Sequence, residues 1–205
     1  MQNRTLMLGI LAAFALLIGV LVGAILLKPG AVEISSGTLL PQPRPIADFS
    51  LSGSDGQPYT KASLAGHWSL IFAGYTFCPD VCPTTLAELK GVLNKLGADA
   101  GKLQVVFISV DPERDTPQRL AQYVHYFSPD FRAATGEVAA LEKLGQSLGF
   151  VFVKVPGATP ESYLMDHSAA LMLVNPQAEL VGYLTPPFKA DAIAADLKPL
   201  LQRNR

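Results

Sequence analysis

Hydrophobic residues fall along this chain in three rhythms, and each predicts a different kind of element. From Leu6 to Leu27 the run is apolar, without a charged residue, and is broken only by glycines. As a helix rising about 1.5 Å per residue it reaches about 33 Å, the thickness of a bilayer's hydrocarbon core. The expectation is an uncleaved transmembrane anchor over 6–27 behind a short cytoplasmic head, 1–5, because Val22-Gly23-Ala24 is a poor small-x-small cleavage site. Arg4 precedes the run and Lys28 comes directly after it, so charge says little about orientation. A single N-terminal anchor ordinarily exports the domain behind it, and residues 28–205 are therefore expected outside the cytoplasm.

The second rhythm is the short apolar or alternating run of a strand. Trp68–Gly74 and Leu103–Val110 read as buried strands, Phe150–Val155 as an alternating one, and Ala169–Val174 with Glu179–Leu184 as a hairpin about Asn175-Pro176-Gln177. The third is helical spacing. Leu86, Leu89, Val92, Leu93 and Leu96 come after Pro83, which suits a first helical position. Thr116 and Pro117 cap and open a helix through Tyr126, Val138–Leu148 forms another stopped by Gly149, and Lys189–Gln202 is amphipathic. Between anchor and domain, Pro29–Pro45 carries four prolines and no periodicity, so 28–45 is expected to be an extended tether. Ile46–Leu51 and Pro58–Thr60 suggest a small hairpin, and Pro156–Met165 a polar loop. Strand–helix–strand–helix, then a hairpin and a closing helix, predicts an α/β thioredoxin-like domain over 46–205. Its central mixed sheet is flanked by helices, with the N-terminal β-hairpin as an extension.

At 205 residues, 49% of them hydrophobic, the chain can build a sizeable core. A formal charge of −1 leaves no basic surplus for nucleic acid. Two cysteines are too few for a disulfide scaffold, which turns attention to their placement. Cys78 and Cys82 sit in Cys78-Pro79-Asp80-Val81-Cys82, on the turn from the Trp68–Gly74 strand into a helix. Free N–H groups and the helix dipole at such a turn favour thiolate over thiol. Two thiolates there can be a redox pair or two ligands for a soft metal, and a structural disulfide is a third option.

His167, in Asp166-His167-Ser168 just before the Ala169–Val174 strand, stands where a thioredoxin arrangement faces the dithiol. Two thiolates and an imidazole suit Cu(I), or Cu(II) with an added oxygen ligand, whereas structural zinc wants a fourth protein ligand. Asp166 or Asp80 could orient the imidazole through its other nitrogen. Read alone, His167 is equally a core histidine. His67 reads as a turn residue and His125 as a packed or solvent-facing one.

Cys78-Pro79-Asp80-Val81-Cys82-Pro83, Ser109-Val110-Asp111-Pro112-Glu113-Arg114-Asp115-Thr116-Pro117 and Asp166-His167-Ser168 together closely resemble the Sco/SenC family. Its members are membrane-anchored thioredoxin-like proteins that help deliver copper to the binuclear copper A site of cytochrome c oxidase subunit II. The resemblance implies copper as the metal, Cys78, Cys82 and His167 as its ligands, and Asp111 as a residue that shapes the site. It implies subunit II as partner, with another periplasmic copper chaperone as a further one. The short head lacks an arginine- and serine-rich transit peptide, so a bacterial inner-membrane protein facing the periplasm is expected. Two other chemistries share this fold. One is thiol–disulfide exchange by Cys78 and Cys82, which would keep an acceptor's cysteines reduced. The other is thiol peroxidation, for which Thr76 stands two residues before Cys78 and Gly74 further back, not in the activating pattern.

Overall fold

The computed structural model describes residues 2–26, 33–159 and 162–203. Leu27, Lys28 and the first part of the expected tether, to residue 32, lie outside the described residues, as do 160 and 161 in the polar loop. Contacts divide the chain into two units, Met1–Val32 and Glu33–Arg205. The first is helix α1, Gln2–Leu26, 25 residues long. Met7, Phe14, Leu17 and Leu21 are exposed on it. Counting only described residues, no helix is long and apolar enough to cross a membrane.

The second unit is built on two strands with no polar face. Every residue of β4 (Trp68–Gly74) and β5 (Leu103–Ser109) is buried, the mark of strands covered on both sides. They pair in parallel, Trp68 opposite Leu103 through Gly74 opposite Ser109, joined by helix α2 (Val81–Leu96). Leu86, Leu89 and Val92 of α2 are buried, as are Phe72 and Phe107 on the strands. Each such side chain contributes about 1.5–3 kcal/mol by leaving water. Helix α3 (Pro117–Phe127) starts at Thr116, whose hydroxyl accepts the Arg119 N–H. Helix α4 (Val138–Leu148) ends at Gly149, in the left-handed conformation at φ 79°. Strand β9 (Leu171–Val174) runs antiparallel beside β4, β10 (Glu179–Leu184) runs antiparallel beside β9, and helix α5 (Ala190–Arg203) packs against α2. The hairpin is β2 (Ser50–Gly53) with β3 (Pro58–Thr60). This is the mixed, thioredoxin-like α/β arrangement, with its hairpin extension on the far side of β6 (Arg132–Thr135).

Four features differ from the expectations set by sequence. Gly37–Pro45 is not a tether but β1, the edge of the sheet beside β10. Its register shifts between Leu39 and Arg44, which takes Pro41 and Pro43 out of the ladder, and prolines are tolerated on such edges. Close approach here needs glycine: a Cβ on Gly37 would fall 2.0 Å from the Tyr183 carbonyl oxygen, and one on Gly182 2.6 Å from that of Thr38. Second, β6 adds a strand that no apolar or alternating run announces, being four residues with mostly small side chains. Third, the end of the polar loop is β8 (Leu164–His167), which pairs with β7 (Phe152–Val155) in a ribbon separate from the main sheet. Fourth, α2 starts at Val81 with Asp80 at its N-cap, so Pro83 is its third residue. Proline is harmless there too, because the first-turn N–H groups have no intrahelical acceptor.

Candidate metal centre

Beyond Gly74 the chain leaves the sheet and reaches α2 through Tyr75–Asp80. The Cys78 N–H donates to the Tyr75 carbonyl at 3.3 Å, and the Cys82 N–H to Cys78 Sγ at 3.4 Å. The helix start thus points a backbone donor at the first sulfur. Cys78 is 8% exposed and Cys82 is fully buried, and both are free thiols. Burial pushes the Cys82 thiol well up, and its hydrogen bond with Cys78 pushes the same way. For Cys82, then, the expected preference for thiolate at the helix start is overturned. Losing water around a buried charge outweighs the first-turn dipole.

The ribbon supplies the imidazole. Phe152 of β7 lies opposite His167 of β8, and the Ser168 N–H donates to the Val151 carbonyl at 3.0 Å. His167 Nε2 lies 3.8 Å from Cys82 Sγ. Its Nδ1 lies 3.1 Å from the Ser168 carbonyl, which can only accept. Nδ1 therefore carries the hydrogen, and in the neutral ring Nε2 turns its lone pair toward the sulfur. Neither Asp166 nor Asp80 does this orienting; both are exposed, and the backbone carbonyl takes the role. The rings of Phe72 and Tyr75 stand edge-on to the imidazole at 6.2 and 6.1 Å. A cleft of about 310 Å³ opens over Tyr75, Cys78, Pro79, Val81, Met165 and His167. Among the described residues, no three His, Cys, Asp or Glu side chains are grouped to hold a metal ion as they stand.

The sequence model of the SCO1/SenC family matches residues 39–202. The chain belongs to that family. It is 38% identical over 168 residues to a Stutzerimonas stutzeri protein named as a candidate copper-binding protein, covering 82% of each chain. It is 36% identical to the mitochondrial SCO2 homolog of Mus musculus over 74% of this chain and 60% of that one. Among solved structures, copper-bound ScoI of Bradyrhizobium japonicum superposes with a TM-score of 0.69 at 39% identity, over 76% of this chain and 98% of the other. Apo Sco1 of Thermus thermophilus gives 0.74 at 36%, over 84% and 99%.

In this SCO1/SenC protein the Ser109–Pro117 stretch packs against the turn that leads into the dithiol. Asp111, 2% exposed, accepts from the Tyr163 hydroxyl at 2.7 Å and from Arg114 Nε at 2.5 Å. Arg114 lies over the rings of Tyr163 (3.6 Å) and Phe77 (4.7 Å), and Arg119 also reaches Phe77 at 4.8 Å. Asp111 thus reaches the residue before Cys78 through Arg114. Tyr75, Gly74, Asp115 and Tyr163 are not among the site residues expected from the sequence. Only Asp115 lies in a recognisable motif, and the others become visible through packing. His67 and His125 are exposed and line a separate cavity of about 790 Å³ that shares no residue with the dithiol cleft.

Proposed function

We propose that this protein is a copper metallochaperone that holds its cargo between Cys78, Cys82 and His167. It passes copper by ligand exchange to the copper A site of cytochrome c oxidase subunit II. The observation that carries this reading is the 3.8 Å approach of His167 Nε2 to Cys82 Sγ, with Nδ1 committed elsewhere. Two thiolates and a lone-pair nitrogen form a soft donor set suited to Cu(I), and to Cu(II) with an added oxygen ligand. The copper-bound relatives from Bradyrhizobium japonicum and Arabidopsis thaliana support copper as the cargo. Loading needs a reduced dithiol and displaces thiol protons, since thiolate is the ligating form. The cleft over Cys78 leaves the first sulfur open to the acceptor's ligands.

In the same reading residues 6–27 are a single-pass anchor in a bacterial inner membrane. The support for this is the sequence: the uncharged run Leu6–Leu27 would reach about 33 Å as a helix rising about 1.5 Å per residue. The domain then works on the periplasmic side, where another copper chaperone can supply it.

Anaerobic Cu(I) titration of the reduced full chain in detergent, against a competing chelator, tests the ligand set. One tight equivalent is expected, lost or sharply weakened in Cys78→Ser, Cys82→Ser and His167→Ala. A parent that takes up no copper, or a His167→Ala variant that binds like the parent, refutes it.

A second reading, thiol–disulfide exchange with the acceptor's cysteines, is favoured by one asymmetry. Cys78 lines the cleft while Cys82 is sealed behind it, as an attacking and a resolving thiol would be. His167→Ala would spare that activity. A peroxidase reading loses support, because the Thr76 hydroxyl is donated to Asp115 at 2.5 Å.

A further inference from the structure

We infer that Asp115 is the positioning residue of the metal centre, a role that rests on the copper-binding reading above. Asp115 is fully buried, on the turn before α3, and its hydrogen bonds go to Thr76 and Ser109 rather than to sulfur or imidazole. Its carboxylate grips the other side of the dithiol turn. One oxygen accepts the Thr76 N–H at 2.9 Å and the Ser109 hydroxyl at 2.6 Å; the other accepts the Thr76 hydroxyl at 2.5 Å. Thr76 is thereby tied to the end of β5, itself fixed by the Val110 N–H donating to the Gly74 carbonyl at 2.9 Å.

What this anchors is Tyr75, the neighbour of Thr76, which touches two of the candidate ligands directly and is linked to the third through Cys78. The Tyr75 carbonyl accepts the Cys78 N–H at 3.3 Å and its ring packs edge-on to His167, while Cys82 follows through its N–H, which donates to Cys78 Sγ at 3.4 Å. A backbone rotation at Thr76 would shift all three together. Outer contacts of this kind set ligand geometry without touching the metal.

Asparagine can reproduce the grip: its carbonyl accepts from the Thr76 N–H and Ser109, and its amide faces the Thr76 hydroxyl, which can accept as well as donate. Alanine cannot. The test compares the parent with Asp115→Asn, Asp115→Ala and Leu141→Ala, the last a core truncation in α4. The full chain is used in detergent, reading Cu(I) affinity by competition and the thiolate-to-Cu(II) absorption band. The expected result is affinity weakened by about tenfold or more and a shifted band in Asp115→Ala, the usual scale for outer-shell partners. Asp115→Asn should stay close to the parent, and Leu141→Ala should lose thermal stability without either change. Asp115→Ala binding like the parent overturns the inference. So does an equal loss of affinity in Leu141→Ala, which would make the effect mere loosening. If Asp115→Ala does not fold, Thr76→Val, lacking one hydroxyl bond, decides in the same way: weakened affinity supports the role and unchanged affinity ends it. A parent that binds no copper would instead defeat the metallochaperone reading.

Discussion

Replacing Gly74 by alanine places a methyl group at the point where β4 releases the chain toward the dithiol. Built on this backbone, the new Cβ would lie 2.7 Å from Cε2 of Phe107 and 3.1 Å from Cys82 Sγ. The first separation is well inside van der Waals contact, so something must move. Phe107 is fully buried and packed against Phe72 and Tyr123 at ring separations of 5.8 and 5.6 Å, which leaves its ring little freedom. Overpacking of this kind costs about 1–3 kcal/mol. For a protein of this size that is roughly 2–12 °C in Tm, at about 2–4 °C per kcal/mol. The strain falls on Cys82 as well, so displacement of its sulfur should weaken copper binding beyond the loss of stability. Thermal unfolding of the metal-free protein and Cu(I) competition on the folded variant separate the two effects. Gly101→Ala is the control, because a Cβ there meets nothing within 4 Å. If Gly74→Ala matched Gly101→Ala in both Tm and copper affinity, the tight fit between β4 and Cys82 would be refuted.

Two other expectations concern the ends of the chain. Burial works to raise the Asp196 carboxyl, but the Ser36 hydroxyl and the N–H groups of Ser35 and Ser36 outweigh it and hold the carboxyl below its usual range. A depressed folded-state pKa contributes stability that is present above the unfolded value of about 3.9 and is lost as pH falls through the folded one. Denaturant midpoints measured from about pH 5 down to about pH 2 should therefore fall less steeply in Asp196→Asn than in the parent; parallel curves would contradict the assignment. For the anchor, the full chain should resist alkaline extraction from bacterial membranes, and a chain lacking residues 2–26 should be released. Extraction of both alike would remove the anchor.

Local chemistry was legible wherever a segment's own residues decide its conformation. Trp68–Gly74 is apolar almost throughout and forms β4 over those residues, and Val138–Leu148 forms α4 up to Gly149, where glycine takes the left-handed turn at no steric cost. Thr116 and Pro117 open α3 because a hydroxyl and a preset φ serve a helix start wherever it occurs. The elements without a local signal are those whose partners are distant in sequence. β1 is rich in proline and becomes a strand only because β10 offers it an edge. β6 has mostly small side chains and is held by β5 and β2 on either side, and β8 exists as the partner of β7.

The same division runs through the metal centre. The cysteine spacing, the strand-to-helix turn and the Asp166-His167-Ser168 position belong to the sequence, because they come from residue types and local order. Which nitrogen of His167 faces Cys82, how far burial outweighs the helix start at that thiol, and which carboxylate steadies the Tyr75–Thr76 turn were decided only by the tertiary structure. Each depends on groups dozens of residues apart being desolvated together, and no local pattern records how much water two such segments exclude when they meet.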